Sequence, residues 1–190
     1  MSEPADARTQ RERMLAGDLY LADDPELEAE AAHARRLEHA FNTSAADELD
    51  ERDAILRQLL GACGEASHVR PPLHCDYGYN LRLGARVFVN CGLVALDVAA
   101  ITIGDDVQIG PNVQLLTPTH PLDAEQRRAR WESADPITIG DNVWLGGGVI
   151  VVGGVTIGEN TVVGAGSVVV RDLPAGVLAV GNPARVVRPL

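Results

Sequence analysis

Five histidines occur in the chain, and one of them, His120, stands where a base would be useful. An imidazole with an ordinary pKa of about 6.5 takes up and returns a proton at neutral pH, which suits general-base work on a hydroxyl. His120 sits in TPTHPLD, where an apolar repeat gives way to a charged excursion, beside a cleft that a neighbouring subunit can close. The same placement also fits an ordinary solvent-exposed loop histidine. His33 and His39 fall on a charged helical face, and His68 and His74 in a connecting stretch, so these four read as structural. Cys63, Cys75 and Cys91 are odd in number and match no metal or disulfide spacing, so buried or ordinary thiols are expected. Cys91 is a poor nucleophile candidate: a cysteine at a turn is commonly inert, and the sequence places no partner histidine for it.

Such an excursion needs a rigid carrier, and the sequence after residue 70 supplies one. Four eighteen-residue segments stack: LRLGARVFVNCGLVALDV from Leu81, ITIGDDVQIGPNVQLLTP from Ile101, ITIGDNVWLGGGVIVVGG from Ile137 and VTIGENTVVGAGSVVVRD from Val155. Within each, an aliphatic returns every six residues, as at Ile139, Leu145 and Val151, and no polar side chain lands on that phase. A beat of six fits neither a helix nor a hairpin meander. It fits a triangular coil in which a short strand and a turn use six residues, three sides use eighteen, and one aliphatic per side points into a narrow prism. The residue after the inward one is Gly or Asn on the first two sides; Asn90 interrupts the glycines, a hint that more than turn geometry selects it.

Two interruptions follow from the phase. Ala99 and Ala100 add a pair between the first and second coils. Between Leu115 and Ile139 the in-phase residues are Pro121, Arg127 and Ser133, which cannot fill an apolar prism, so residues 119–136 must leave the coil as a loop. Four coils make a column only about 19 Å tall, with edges and flat faces that predict caps or partners.

Ahead of the coil, apolar residues at helical spacing predict three helices in a segment spanning residues 1–70, before a β domain at 71–190. The first covers about 4–16 and ends at Gly17. The second is capped by Asp24 with Pro25 behind it, and the third is capped by Ser44 and ends near Gly61. The net charge of −11 disfavours nucleic acid and anionic membranes as partners, and all sixteen cations are arginine, so any anionic ligand needs a local arginine cluster. No apolar run approaches a membrane span of about 18 residues, and the charged start is unlike a signal peptide, so a cytoplasmic protein is expected.

Taken together, the hexapeptide coils, HCDYGYN at residues 74–80, TPTHPLD, ITIGDNVWLGGG, GNPARVVR and the frontal RERMLAGDLY closely resemble the maltose and galactoside O-acetyltransferases. The resemblance covers almost the whole chain. It implies a left-handed parallel β-helix, a homotrimer, and acetyl-CoA lying in a groove between two subunits. The hand comes from the family alone, since parallel crossovers are normally right-handed.

By the same resemblance His120 is the general base, and Asp23, Asp76, Asn90 and Asp97 bind the acceptor sugar. Asn90, Trp144, Gly147, Ala165, Arg171, Arg185 and Arg188 match donor-binding positions, with the three arginines meeting the CoA phosphates. Asp76 stands where the galactoside branch carries Ser, and Phe88 where it carries Tyr, which points to a glucose- or maltose-type acceptor. Val170 and Arg171 replace a common Thr-Lys pair, removing one hydroxyl contact. The implied reaction is direct transfer to a sugar hydroxyl, the primary 6-OH, without an acyl-enzyme and without a required metal. Three readings compete with it. A γ-carbonic-anhydrase-like zinc site would need three histidines where the coils supply only His120. A xenobiotic acetyltransferase would share the donor chemistry and differ in its acceptor, and a non-catalytic trimeric scaffold would bind partners through the acidic helices.

Overall fold

The computed structural model describes residues 7–190. The expected start of the first helix, at residue 4, lies outside the described residues. Helix α1 spans Gln10–Leu15, later than expected, because Thr9 and Glu12 form a reciprocal capping box that fixes its start. Gly17, at φ +77°, ends it. A short front strand, Tyr20–Leu21, leads to α2, Pro25–Thr43, whose cap is Asp24 accepting from the Glu26 N–H as expected.

The third helix departs from the expectation. Ser44 closes α2 by donating to the Phe41 carbonyl, and α3 begins later, at Leu49–Leu59, with no side-chain cap. Arg52 explains the shift: its buried guanidinium donates to the Ser44 hydroxyl at 2.9 Å and the Ala45 carbonyl at 2.8 Å, holding that stretch as a turn.

The remainder is a solenoid β-helix of about six turns. On the first face the strands Ala62–Cys63, Leu81–Leu83, Ile101–Ile103, Ile137–Ile139 and Thr156–Ile157 pair in parallel. The second face holds His68–Val69, Phe88–Val89, Gln108–Ile109, Trp144–Leu145, Val162–Val163 and Val177–Val180, closed by the antiparallel strand Arg185–Pro189. The third face holds Leu73–Cys75, Leu93–Leu96, Gln114–Leu116, Ile150–Val152 and Val168–Val169.

Two expectations change. The coil starts at Ala62, before the expected boundary at residue 71, and a last partial turn follows Leu173, so the column exceeds the four coils counted from the repeat. In the extra turn Cys63 and Cys75 sit level with Leu83 and Ala95, on the inward phase, and burial pushes both thiols up. Each side also buries two residues rather than one. Val107 precedes Ile109 and Val143 precedes Leu145, all at most 1% exposed, so the prism is filled twice per side. Phe41, Leu56 and Leu59 of α2 and α3 share one buried cluster with the first turns.

Corner geometry explains the polar letters of the repeat. Asp105 accepts from the Ala85 N–H and Asp141 from the Asp105 N–H, each at 2.8 Å, so one turn's carboxylate caps the corner of the turn below. The next residue is left-handed in successive turns: Ala66, Arg86, Asp106, Asn142 and Asn160 all have φ between 54° and 59°. Asn and Asp tolerate that region; Ala66 is strained in it. Ala66→Gly is therefore expected to stabilise the fold by about 1 kcal/mol, read as a higher urea midpoint at unchanged m-value.

The excursion is a hairpin, not a loop. It runs out along Pro118–Thr119, through α4 at Ala124–Arg128, and back along Trp131–Ala134, which pairs on its other edge with the front strand. Asp123 caps α4 by accepting from the N–H groups of Glu125 and Gln126. At its base the buried Thr117 hydroxyl donates to the Leu96 carbonyl at 2.6 Å and accepts from the Ala99 N–H, while the Thr117 carbonyl accepts from the Asp135 N–H. The coil then resumes in register, Leu116 pairing Val152.

Candidate active site

In a parallel coil of constant register, outward side chains of successive turns superpose. On the second face Phe88, Gln108, Trp144, Val162 and Leu178 form one such row, above the buried Val89, Ile109, Leu145, Val163 and Ala179. Beside the row the side chains shrink to Gly110, Gly146, Gly147 and Ala165, leaving a groove of about 540 Å³. Rung spacing enforces this: a Cβ at Gly110 would lie 2.5 Å from the Gly147 nitrogen, and one at Gly146 2.6 Å from that of Ala165.

The groove gathers Asn90, Trp144, Gly147 and Ala165 of the expected donor set. The Asn90 side-chain oxygen Oδ1 accepts from the Cys91 N–H at 2.9 Å and from Arg70 Nη1 at 3.2 Å. With its oxygen so engaged, the amide's N–H₂ is the end left to donate. Arg185 and Arg188 do not line the groove but sit at its end, on the exposed closing strand; Arg188 is level with Leu178, a groove residue. Arg171 lies exposed after Val169 at the same end of the column. The lining residues Gln108, Pro111 and Leu178 were missed; the phase of Gln108 and Leu178 with Trp144, and of Pro111 with Gly147, was the signal that could have found them.

Of the residues expected to meet the acceptor, Asn90 lies in the groove, while Asp23, Asp76 and His120 lie around the hairpin. His120 is exposed, one residue beyond Thr119, which pairs Ser133; the register, continued, sets it level with Glu132. Glu132 pairs Tyr20 across the front strand and accepts its hydroxyl hydrogen at 3.0 Å. Burial, and then the Glu132 charge, raises the Tyr20 hydroxyl far above its usual range, so it stays a donor. Asp23 pairs with Arg130 at 3.2 Å, and Arg13 stacks 5.6 Å from the Trp131 ring. The front segment thus clamps the returning strand, through a Tyr20–Glu132 contact that spans 112 positions and that no motif announces.

Asp76 and Asp97 have different tasks. Asp97 is 0% exposed and accepts from the N–H groups of Asp76, Tyr77 and Asn80 at 3.1, 2.9 and 3.1 Å. It stands beneath the loop that presents Asp76, where a sugar does not reach it, so the expected direct contact becomes an anchor. Asp76 remains half-buried. Burial first, then the charges of Asp97, Glu132 and Glu38, push its carboxyl up to about 6.

That shift sets a stability prediction. Between the unfolded value of 3.8 and about 6 the folded chain binds the extra proton, so stability falls as pH rises through that window. Asp76→Asn should therefore melt higher than the parent at pH 7 and lose that advantage near pH 4, as followed by thermal unfolding.

Comparison with known proteins places this geometry. Residues 13–64 match the maltose acetyltransferase hexapeptide capping motif, and residues 136–171 the six-repeat bacterial transferase hexapeptide model. The nodulation protein L of Rhizobium leguminosarum bv. viciae is 51% identical over 94% of this chain and 94% of its own. The crystal structure of a maltose O-acetyltransferase from Clostridium difficile 630 superposes with a TM-score of 0.96 at 46% identity, covering 97% of this chain and 99% of that one. The chain belongs to the maltose and galactoside O-acetyltransferase family. A further neighbour from this group of enzymes, a hexapeptide-repeat acetyltransferase of Vibrio cholerae O1 biovar eltor, was solved with acetyl coenzyme A. It has a TM-score of 0.90 and 43% identity, covering 96% of this chain and 99% of that one. Membership makes this chain an acetyltransferase. No helix among the described residues is long and apolar enough to cross a membrane.

Proposed function

We propose that this acetyltransferase moves acetyl from acetyl-CoA to the primary 6-hydroxyl of a glucose- or maltose-type sugar, in a homotrimer whose sites lie between protomers. The observation that carries the reading is the groove joining Asn90, Trp144, Gly147 and Ala165, with Arg185 and Arg188 at its end. Its narrow, small-residue floor suits a pantetheine chain, and Arg185 and Arg188, with Arg171 at the same end of the column, suit the CoA phosphates on an acidic protein. His120 leaves the third face, while the groove runs along the second. One chain therefore carries two half-sites, and a threefold ring that sets one protomer's hairpin against the next protomer's groove completes them. Trp144, exposed in the groove, and Val180, exposed beside Gly164, favour such burial.

In the proposed chemistry the His120 imidazole accepts the sugar hydroxyl proton as the oxygen attacks the thioester carbonyl. Asn90 Nδ2 and the Gly147 N–H donate to the oxyanion; one such donor is worth about 2.7 to 4 kcal/mol. The C–S bond then breaks, and the CoA thiolate takes the proton back from His120. Asp76 and Asp23 hold sugar hydroxyls, and Glu132 supports the imidazole from the returning strand. The chemistry asks for no metal.

Release of CoA thiol from acetyl-CoA, measured with glucose, maltose, a galactoside, a chloramphenicol-type acceptor and no acceptor, tests this. Fast release that depends on glucose or maltose is expected. Release without any acceptor dependence, or with the drug alone, would falsify the sugar reading. Because Asp76 must be ionised to accept from hydroxyls, the sugar KM is also expected to climb as pH drops below about 6.

A further inference from the structure

We propose a second sugar subsite on the helical front, in which Tyr77 and Tyr79 with Arg11, Glu30 and His33 take the second ring of an oligosaccharide acceptor. It rests on the acceptor reading of Asp76 and extends it. These side chains and Ala29 enclose a groove of about 400 Å³, within the range of about 300–1,000 Å³ usual for small-molecule sites.

The groove is built, not incidental. Tyr77 and Tyr79 lie with ring centroids 5.5 Å apart. The Tyr79 hydroxyl donates to Glu30 Oε2 and Arg11 Nε donates to Glu30 Oε1, each at 2.7 Å, with the guanidinium 5.7 Å from the Tyr79 ring. These contacts fix an aromatic wall beside a carboxylate–guanidinium rim before any ligand arrives. A pyranose presents the complement: an apolar C–H face and a rim of hydroxyls that both donate and accept. Glu30 retains lone pairs and Arg11 further N–H groups to meet them.

Tyr77 links this groove to the acceptor site. It follows Asp76 in the chain and packs in one buried cluster with Tyr20 and Ala134, which border the hairpin. Its hydroxyl lies in the fields of Asp76 and Glu132 from the acceptor site and of Glu30 from the groove. A sugar held by Asp76 would point its neighbouring ring over Tyr77 into the groove, so chain length is read there.

The test compares glucose, maltose and cellobiose as acceptors for the parent chain and for Ala29→Trp. Ala29 is exposed on α2, and a tryptophan there fills the groove without touching the core. A KM for at least one disaccharide about tenfold below that for glucose is expected in the parent. Ala29→Trp should erase that ratio while leaving glucose kinetics within about twofold, and Tyr79→Phe should reduce the ratio in part. Equal KM values in the parent, or a ratio that survives Ala29→Trp, overturn the subsite while the acetyltransferase reading stands. No transfer to any of the three sugars removes the sugar-acceptor reading, and the subsite with it.

Discussion

His120→Ala is expected to slow sugar-dependent acetyl transfer by about 10²- to 10⁴-fold, the range for loss of a general base. The fold should not register the change. His120 is exposed at the tip side of a hairpin whose strands, helix cap and base are held by other residues, so its removal should cost at most about 0.5 kcal/mol. The groove proposed for the donor does not include it, so KM for acetyl-CoA should stay put while kcat collapses. Added imidazole should restore part of the rate. A variant as fast as the parent would remove His120 from the mechanism.

Asp97→Ala should act on the opposite axis. Its carboxylate collects three backbone N–H donors from the segment 76–80, and alanine leaves them without acceptors. An orphaned buried donor costs about 1–3 kcal/mol; relief of a buried charge offsets part of this, giving a net loss on the order of 4 kcal/mol. For a chain of this size that is a fall in Tm of roughly 10 °C. Asp97→Asn keeps one carbonyl oxygen in place and should lose less. If Asp97→Ala melted with the parent and raised only the sugar KM, direct sugar binding by Asp97 would be reinstated.

The column was legible because its constraint is periodic. A prism that admits only aliphatics forces Ile139, Leu145 and Val151 onto one phase, and all three are at most 1% exposed. The same rule ejected Pro121, Arg127 and Ser133. What failed was not periodic. Cys63 and Cys75 hid the first turn because cysteine does not announce a β-solenoid, and Ser44 is a good cap that Arg52 recruits elsewhere. The expected donor positions Asn90, Trp144, Gly147 and Ala165 converge because parallel stacking sets equivalent residues of successive turns side by side. The clamp of Tyr20 on Glu132 depends on two segments whose meeting no local pattern encodes.

The hairpin leaves after Thr117 and returns before Ile137, yet Leu116 still pairs Val152 and Ile103 still pairs Ile139 as if nothing intervened. The scaffold is thus mechanically indifferent to the cassette it carries. Lengthening, trimming or grafting that cassette would change which molecule meets the imidazole without renegotiating a single rung, so descendants of one column can diversify their diet through one splice point.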